Sequence, residues 1–542
     1  MSIAIAAKTF LIWPFAMPFS LKHYLCSLLQ LTMAKALSLQ ELEEVAFHRK
    51  EVKVDGAVLK NMMDSFDFLV GFSKDKIIYG INTGFGPMAQ FKIEKEDLHQ
   101  LQYNLIRSHC SGAGSVLNEV YARSVVMARL NNFLQGHSGV SPEVALLLAD
   151  FLNKKVVPEI FELGGVGASG DLVQLAHLGL NLIGEGYVYV NGNRQSAPEV
   201  FTQMEMKPLT LQLRDGLGII NGTSCMTGIG AVNLVYARRL LDWSLMSSAI
   251  INEVVESFDD SFSKELNGVK LHEGQKFVAE ELRTFLKDSK MIRSRKELFS
   301  DEGELSRSEF KNKIQEYYSI RCVPQILGPV YDTLAFAIKV VENELNSTND
   351  NPVVIPSADN VFHGGNFHGD YVSFEMDKIK MATAKVSVLA ERQLNFLLNH
   401  KLNGKFPPFL NGKKPGFNFG LQGMQFMATS TTAENQVLSN SVYVHSIPNN
   451  NDNQDVVSMG TNSAMMAKRV IDNSFRIMSV LVMAVCQCVD LLPEEERQRL
   501  CPQTQKFYSH IRNVVPSIGE DVPQFENIQK VNTLIKENKY TA

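Results

Sequence analysis

Hydrophobic residues recur at helical spacing over several long stretches of the chain. Within these stretches apolar side chains fall three or four positions apart, which is the period of one face of an α-helix. Several stretches exceed 20 residues and are interrupted by single polar positions rather than by glycine or proline, as is typical of long helices packed side by side. The pattern therefore predicts a mainly α protein built on a long-helix bundle. The segments are 116–134, 172–183, 228–258, 326–345, 376–398 and 462–492.

Strand signals are few, and the best of them is the short stretch 187–190. Asn191 and Gly192 follow it, and both residue types tolerate the positive φ angles of a tight hairpin turn. A second strand is therefore expected to begin at Asn193. This pattern predicts one small hairpin rather than a sheet.

The first 32 residues differ in character from the rest of the chain. They are apolar and aromatic, but Pro14, Pro18 and Lys22 interrupt them, well short of the roughly 18 apolar residues that a membrane span needs. No small-residue cleavage site follows a clean apolar run, as it would in a signal peptide. We therefore expect residues 1–32 to be an extension outside the fold, with Met33 as an alternative start.

The folded part is predicted to begin with a helix over 39–47, because Ser38 and Glu41 have the spacing of a capping box. From there we expect two regions. Residues 33–225 form a smaller mixed N-terminal region that carries the densest glycine cluster. Residues 226–542 form the central and C-terminal long-helix bundle.

Composition narrows the function classes. The 542 residues are 45% hydrophobic and 20% charged, which suits a large interior with more than one packed region. The net charge of -5 gives no bulk attraction to nucleic acid or to anionic membranes. Seven unevenly spaced cysteines indicate reduced thiols and a cytoplasmic location. The usual zinc-ligand spacings are missing, so we expect no metal and a small-molecule partner.

The glycine cluster 164–171 runs directly into a helical pattern. Three of its glycines satisfy the G-x-G-x-x-G spacing of dinucleotide sites, but the residues before it are too short and polar for a central parallel strand. The cluster is one residue short of the G-x-S-x-G nucleophile elbow, and no lysine follows as in a phosphate-binding loop. A glycine-rich helix start capped by Ser169 or Asp171 also explains the local shape.

Another interpretation treats Ala168, Ser169 and Gly170 as the reactants of a backbone reaction. The Gly170 nitrogen attacks the Ala168 carbonyl carbon and closes a five-membered ring, and loss of water then turns Ser169 into a dehydroalanine. Only small residues permit so tight a fold. The local sequence alone does not choose between this reaction and a capped helix start.

A second glycine-rich loop covers 79–86 and begins with Tyr79. A tyrosine in such a place most often packs or makes a hydrogen bond through its hydroxyl. To act as a general base, its pKa would have to fall from the usual value of about 10.

Gln315, Tyr318 and Arg321 recur three positions apart, so a single turn would present them together. An arginine can hold a carboxylate through two parallel hydrogen bonds. Taken alone, however, an arginine is most often a surface residue.

Asparagine is concentrated in two segments, 346–352 and 449–455. Such clusters most often mark turns, because the asparagine side chain bonds its own backbone. Buried asparagines would instead connect the parts of an active site.

Seven motifs, taken in order, resemble the histidine, phenylalanine and tyrosine ammonia-lyase family. The similarity runs from about Met33 to about Leu492, and only the extension departs from it. The resemblance implies a fold of the ammonia-lyase/fumarase-like type and a homotetramer whose active sites draw residues from three subunits. The motifs are 79–86, 168–171, 221–223, 315–321, 349–352, 365–368 and 453–460.

The resemblance also implies a 4-methylideneimidazol-5-one group (MIO), formed from Ala168, Ser169 and Gly170 without any external cofactor. Its methylene is an electrophile that captures the substrate amine. Tyr79 would remove the β-proton, and Arg321 would hold the carboxylate. Helix N-termini pointing at the site would stabilise developing negative charge. Asn221 and Tyr318 would position the amine and the MIO ring, and Gly86, Gln315, Phe367 and Glu434 would complete the pocket.

Two features disagree about the substrate. The pair Ser108 and His109 occupies the position that contacts the substrate ring and resembles histidine ammonia-lyases, whereas 453–460 resembles the tyrosine and phenylalanine branch. Tyrosine, converted to p-coumarate, is the first choice. Histidine ammonia-lyase and tyrosine 2,3-aminomutase are the alternatives within the family. Outside it, a helical scaffold, an argininosuccinate-lyase-like enzyme without MIO and a dinucleotide-binding protein stay open.

Overall fold

The computed structural model describes residues 30–33, 36–298, 306, 308–310 and 313–537. Helices dominate these residues, which confirms the mainly α prediction. The helices are α1 (Leu39–Ala46), α2 (Gly56–Phe72), α3 (Leu98–His109), α4 (Glu119–Leu134), α5 (Pro142–Asn153), α6 (Leu172–Leu182), α7 (Ala197–Gln203), α8 (Asp215–Ile220), α9 (Ser224–Val254), α10 (Lys264–Gly268), α11 (Glu273–Phe285), α12 (Arg295–Leu298), α13 (Tyr318–Arg321), α14 (Val323–Leu345), α15 (Asp370–Leu398), α16 (His400–Asn403), α17 (Gln422–Leu438), α18 (Gly460–Leu491), α19 (Glu494–Arg497), α20 (Pro502–Arg512) and α21 (Phe525–Glu537). The strands are β1 (Leu31–Met33), β2 (Val52–Val54), β3 (Ala113–Val116), β4 (Val156–Pro158), β5 (Phe161–Leu163), β6 (Tyr187–Val190), β7 (Asn193–Ser196), β8 (Val353–Ile355) and β9 (Asn360–Phe362).

Four long helices, α9, α14, α15 and α18, pack against one another and form the centre of the bundle. Almost every residue of α9 is buried, so it lies inside the bundle rather than presenting one apolar stripe. The second half of α18 is likewise an almost continuous run of buried side chains. The prediction of a long-helix bundle is therefore confirmed.

The predicted helices are all present, but four of them begin earlier than their apolar pattern indicated. Helix α9 begins at Ser224 instead of 228, α14 at Val323 instead of 326, α15 at Asp370 instead of 376, and α18 at Gly460 instead of 462. Helix α4 begins three residues late, because Asn118 caps it by accepting a hydrogen bond from the Tyr121 N–H (3.3 Å).

The predicted hairpin is present as β6 and β7, and its turn residues Asn191 and Gly192 have φ angles of 51° and 79°. The prediction that it stands alone was wrong. Strand β4 pairs antiparallel with β6, which makes a three-stranded sheet in the order β4-β6-β7. The residues of β4 are all buried and show no polar alternation, so periodicity could not identify them.

The N-terminal boundary also needs correction. Strand β1 runs parallel to β2, so Leu31 and Thr32 belong to the fold although we placed them in the extension. The rest of the predicted extension, residues 1–29, lies outside the described residues. The capping box is present, since the Ser38 hydroxyl accepts from the Glu41 N–H (3.2 Å) and Glu41 accepts from the Ser38 N–H (2.9 Å).

Within the described ranges, α18 is the one helix long and apolar enough to cross a membrane, and 83% of its most apolar window is buried. The central helix of a packed bundle is also long, apolar and buried. The same ranges contain no group of three or more histidine, cysteine or acidic side chains placed to hold a metal ion.

Candidate active site

The loop 164–171 lies where the N-termini of four helices meet. Helix α6 begins directly after it, and Asp171 touches the first turns of α9 and α18. The Gly167 carbonyl oxygen accepts from the Gly369 N–H before α15 (3.1 Å) and from the Ser458 hydroxyl before α18 (2.9 Å). Each helix N-terminus carries a partial positive charge of about half an elementary charge. Negative charge that develops at this loop is therefore stabilised from several sides.

The backbone of this loop is compact and admits only small residues. Gly167 and Gly170 have φ angles of 74° and 71°, which favour glycine. A Cβ atom at Gly170 would collide with the Gly222 carbonyl oxygen, and one at Gly167 would collide with the Ser458 hydroxyl. Ala168 between them is 4% exposed. A compact loop that admits only small residues at 167 and 170 fits the cyclisation that forms MIO.

The same packing argues against the dinucleotide interpretation. Protein atoms occupy the space beside Gly165, Gly167 and Gly170, where a pyrophosphate would have to lie. The strand that precedes the loop, β5, pairs antiparallel with β3 and is no part of a parallel sheet. The G-x-G-x-x-G spacing here serves close packing between loops.

Asn221 connects this loop to the asparagine segment 349–351. Its amide nitrogen donates to the Ser169 carbonyl oxygen (2.9 Å), and its amide oxygen accepts from the Asn351 N–H (2.8 Å). The Gly222 N–H points at the same Ser169 oxygen from 3.4 Å. Two donors on one carbonyl oxygen form an arrangement of the oxyanion-hole type.

Asp171 ties the loop to two long helices. Its carboxylate accepts from the Met226 N–H (2.8 Å) in α9 and from the Thr461 hydroxyl in α18. Burial is the main cause that raises the pKa of Asp171 to about 6. Its role in the structure is to join the N-termini of three helices, more than to cap α6 alone.

Tyr79 lies half-buried at the start of the second glycine-rich loop. Its hydroxyl oxygen accepts from the Gly86 N–H (3.1 Å), and its own N–H donates to the His363 ring (3.3 Å).

Gln102 is a residue that the sequence analysis did not single out. Its side chain accepts from the Leu217 N–H (3.0 Å) in α8, the helix that Asn221 directly follows. The same side chain points its amide nitrogen at the Gly80 carbonyl (3.5 Å). Gln102 therefore links the Tyr79 loop to the helix that carries Asn221.

The two asparagine segments play different roles. Residues 450–452 all have positive φ angles, and Asn449 and Gln454 close the turn through reciprocal backbone hydrogen bonds of 3.2 and 3.3 Å. This segment is the turn that asparagine-rich sequences usually form. From it, the Gln454 side chain donates to the Ser169 hydroxyl (2.8 Å).

Residues 349–351, by contrast, are buried and bind two buried arginines. Arg129 donates to the Asn349 side chain (3.3 Å) and to the Asn221 carbonyl oxygen (2.7 Å), and burial lowers its pKa to about 10. Arg214 pairs with Asp350 (3.3 Å), and both side chains are fully buried. The sequence missed both arginines, because single charged residues in an apolar helix or loop carry no pattern.

His109 ends α3, whose Ile106 packs against Gly179 of α6, the helix that follows the loop. The His109 Nδ1 lies 2.8 Å from the Leu105 carbonyl oxygen and 3.1 Å from the Ser108 hydroxyl oxygen. A carbonyl only accepts, so Nδ1 carries the proton, and in the neutral ring Nε2 is an acceptor.

Two further predicted residues lie at different distances from the loop. Phe367 is partly buried and is two residues from Gly369, which bonds the loop directly. Glu434 is exposed on α17 and lines a polar cavity with Lys468, Arg469 and Arg476. Phe367 is therefore close in sequence to a residue that bonds the loop, whereas none of the hydrogen bonds among the described residues joins Glu434 to the loop.

The remaining predicted residues lie at the other end of the bundle. Arg321 and Gln315 line one cavity of about 160 Å³, and the Arg321 guanidinium lies over the Tyr318 ring at 4.9 Å. The Asn252 side chain near the end of α9 faces the Ile320 carbonyl (3.4 Å), whereas the loop is at the start of α9. At about 1.5 Å of rise per residue, the two groups are roughly 40 Å apart. One chain does not bring Arg321 to Asn221.

Comparisons with known proteins identify the family and the fold. A family model described as aromatic amino acid lyase matches residues 37–513. A tyrosine 2,3-aminomutase from Chondromyces crocatus is 38% identical over 93% of this chain and 96% of its own length. A tyrosine ammonia-lyase from Cupriavidus metallidurans is 37% identical over 85% of this chain and 87% of its own length. The crystal structure of a tyrosine aminomutase from Streptomyces globisporus superposes with a TM-score of 0.90 at 35% identity, covering 94% of this chain and 97% of that one.

Proposed function

This chain belongs to the aromatic amino acid lyase family, and we propose that it eliminates ammonia from L-tyrosine to give p-coumarate. The observation that carries the choice of tyrosine over phenylalanine is the 2.8 Å contact between His109 Nδ1 and the Leu105 carbonyl oxygen, because it assigns the proton to Nδ1 and leaves Nε2 to accept a hydrogen bond. A phenol O–H can donate to this acceptor, whereas the ring of phenylalanine carries no hydrogen-bond donor. We place the enzyme in the cytoplasm, as its reduced cysteines indicate.

The family uses the MIO group, which supplies an electrophile for the substrate amine, and the residues 168–170 fit its formation. Asn221 and the Gly222 N–H hold the Ser169 carbonyl oxygen and would stabilise negative charge on it. Tyr79 takes the β-proton of the substrate at its hydroxyl oxygen, where the Gly86 N–H donates. Phe367 borders the pocket on the side of α15.

The carboxylate clamp comes from another copy of the chain. Arg321 is roughly 40 Å from Asn221 along α9, so no rearrangement of side chains within one chain brings them together. We therefore propose a homotetramer in which Arg321, Tyr318, Gln315 and Glu434 of neighbouring subunits complete each site. Tyr318 is 69% exposed in the single chain, as expected of a residue that a second subunit covers.

Mixing two inactive variants tests this shared site. Tyr79→Phe and Arg321→Met chains should each have little activity alone, and co-expressed chains should regain a substantial fraction. Mixed oligomers contain sites that combine an intact Tyr79 from one subunit with an intact Arg321 from another. Turnover of affinity-purified mixed oligomers, compared with the separately purified variants, is the measurement. No recovery in oligomers that demonstrably contain both chains would contradict the shared site.

Replacing His109 tests the choice of substrate. His109→Phe removes the acceptor, so the ratio of kcat/KM for tyrosine to that for phenylalanine should fall by at least about 100-fold. Ser111→Ala is the matched control, because it removes an exposed hydroxyl near His109 and leaves the bond from His109 to Leu105 in place. An unchanged ratio in His109→Phe would show that another residue selects the ring.

A 2,3-aminomutase activity is the second candidate, because the relative with 38% identity carries that name. The two reactions share the elimination step, and the mutase returns ammonia to the β-carbon before the arylacrylate leaves. Product analysis with tyrosine, histidine and phenylalanine supplied separately distinguishes the cases. We expect p-coumarate from tyrosine. β-Tyrosine would identify a mutase, and dominant urocanate from histidine would identify a histidine ammonia-lyase.

A further inference from the structure

The side chain of Gln454 touches the one atom of Ser169 that has to leave when MIO forms. Its amide nitrogen lies 2.8 Å from Ser169 Oγ. An amide nitrogen only donates, so the hydroxyl oxygen is the acceptor. Gln454 is 9% exposed, and water therefore competes little for this bond. We infer that Gln454 assists departure of the Ser169 hydroxyl and thereby controls formation of the MIO group.

The loop that carries Gln454 is built to hold it in place. Backbone hydrogen bonds between Asn449 and Gln454 close a six-residue turn. The chain beyond the turn is anchored as well, since the Val457 N–H donates to the Ser446 hydroxyl (3.0 Å) and the Met459 N–H donates to the Val166 carbonyl (2.9 Å). The amide of Gln454 is therefore positioned before any reaction takes place.

Formation of the group releases two molecules of water. In the first step the Gly170 nitrogen bonds to the Ala168 carbonyl carbon. The Ala168 oxygen leaves as water with the amide protons of Gly170 and Ser169, and the Ser169 nitrogen becomes doubly bonded to that carbon. In the second step the Cα–H and Cβ–Oγ bonds of Ser169 break, and a Cα=Cβ double bond forms. The Cα proton passes to water, and Oγ takes up a proton and leaves as water.

The second step develops negative charge at two oxygens of Ser169, and the structure places a donor at each. As the Cα proton leaves, charge spreads to the Ser169 carbonyl oxygen, which Asn221 contacts at 2.9 Å. As the Cβ–Oγ bond breaks, charge grows on Oγ, which Gln454 contacts. Hydrogen bonds to charged oxygens are about twice as strong as those between neutral groups. Gln454 is therefore a donor whose bond strengthens while the hydroxyl leaves.

Intact-mass measurement on the full-length chain, purified at intervals after induction of expression, follows this maturation directly. Gln454→Met keeps the size of the side chain and removes the N–H, and it should lose the second water about tenfold to a hundredfold more slowly than the wild type. Asn453→Ala is the control, because Asn453 is exposed in the same turn and its change should leave maturation at the wild-type rate.

The inference rests on the proposed function only in that MIO has to form. A wild-type chain that keeps its full sequence mass would contradict the MIO chemistry itself, whatever Gln454 does. A wild type lighter by two waters together with Gln454→Met maturing equally fast would overturn the role of Gln454. If Gln454→Met does not show the helical signal and cooperative unfolding of the wild type, Gln454→Glu replaces it. An ionised carboxylate also cannot donate, so normal maturation of a folded Gln454→Glu chain would overturn the inference as well.

Discussion

Ser169→Ala is expected to reduce turnover by at least about a thousandfold while the protein still folds. The substitution removes the hydroxyl whose loss creates the electrophile. The substrate amine then has no electrophilic methylene to attack. The substitution removes only one oxygen atom, and with it the hydrogen bond that the Ser169 hydroxyl accepts from Gln454. Losing such a bond costs on the order of 1 kcal/mol of unfolding free energy.

Three measurements on the same preparation check this expectation. Turnover should be lost, the unfolding midpoint should fall by no more than a few degrees, and the chain should lack the double loss of water seen in the wild type. An equally small change on the exposed surface, Ser517→Ala, should leave turnover unchanged. Substantial turnover by Ser169→Ala would rule out MIO chemistry and favour ordinary acid–base elimination.

Tyr79→Phe is expected to lower kcat by about 10²- to 10⁴-fold and to change KM far less. In the proposed mechanism the Tyr79 hydroxyl oxygen accepts the β-proton, and other groups hold the amine and the carboxylate of the substrate. The substitution leaves the ring packed edge-on against Phe85, with centroids 6.3 Å apart, so the loop should keep its shape. Steady-state kinetics with tyrosine give both constants.

Tyr103→Phe serves as the matched control for this experiment. Its hydroxyl also lies beside the backbone, 3.3 Å from the Leu211 N–H, but it is in the middle of α3. It should retain nearly wild-type kcat. An equal fall in both variants would mean that loss of any such hydroxyl disturbs the fold, and Tyr79 would then not be the base.

The predictions that held depend on local chemistry. The 3.6-residue period placed the long helices, because a buried helix needs apolar side chains at fixed intervals wherever it lies. The turn at Asn191 and Gly192 depends on which residues tolerate a positive φ, and that is a property of the residues themselves. The errors came where partners were non-local: β4 joins a hairpin about 30 residues further along the chain, and β1 joins β2 across α1.

The candidate site shows the same division. Ala168, Ser169 and Gly170 were singled out because seven motifs together resemble one family, since the local sequence also allows a capped helix start. The buried arginines Arg129 and Arg214 carry no local signal, because each is stabilised only by groups that other helices and loops bring to it.

The sequence by itself determined the long helices and the tight turns, because each depends on residues that are neighbours in the chain, and its ordered motifs selected the three residues proposed to form the electrophile. Only the tertiary structure decided that four helix N-termini meet at the loop 164–171, that Gln454 faces the Ser169 hydroxyl and that Arg321 lies far from Asn221. The physical reason is that the lengths and packing of α9, α15 and α18 set these distances. Such packing is the sum of many weak contacts between distant segments, which no single motif records.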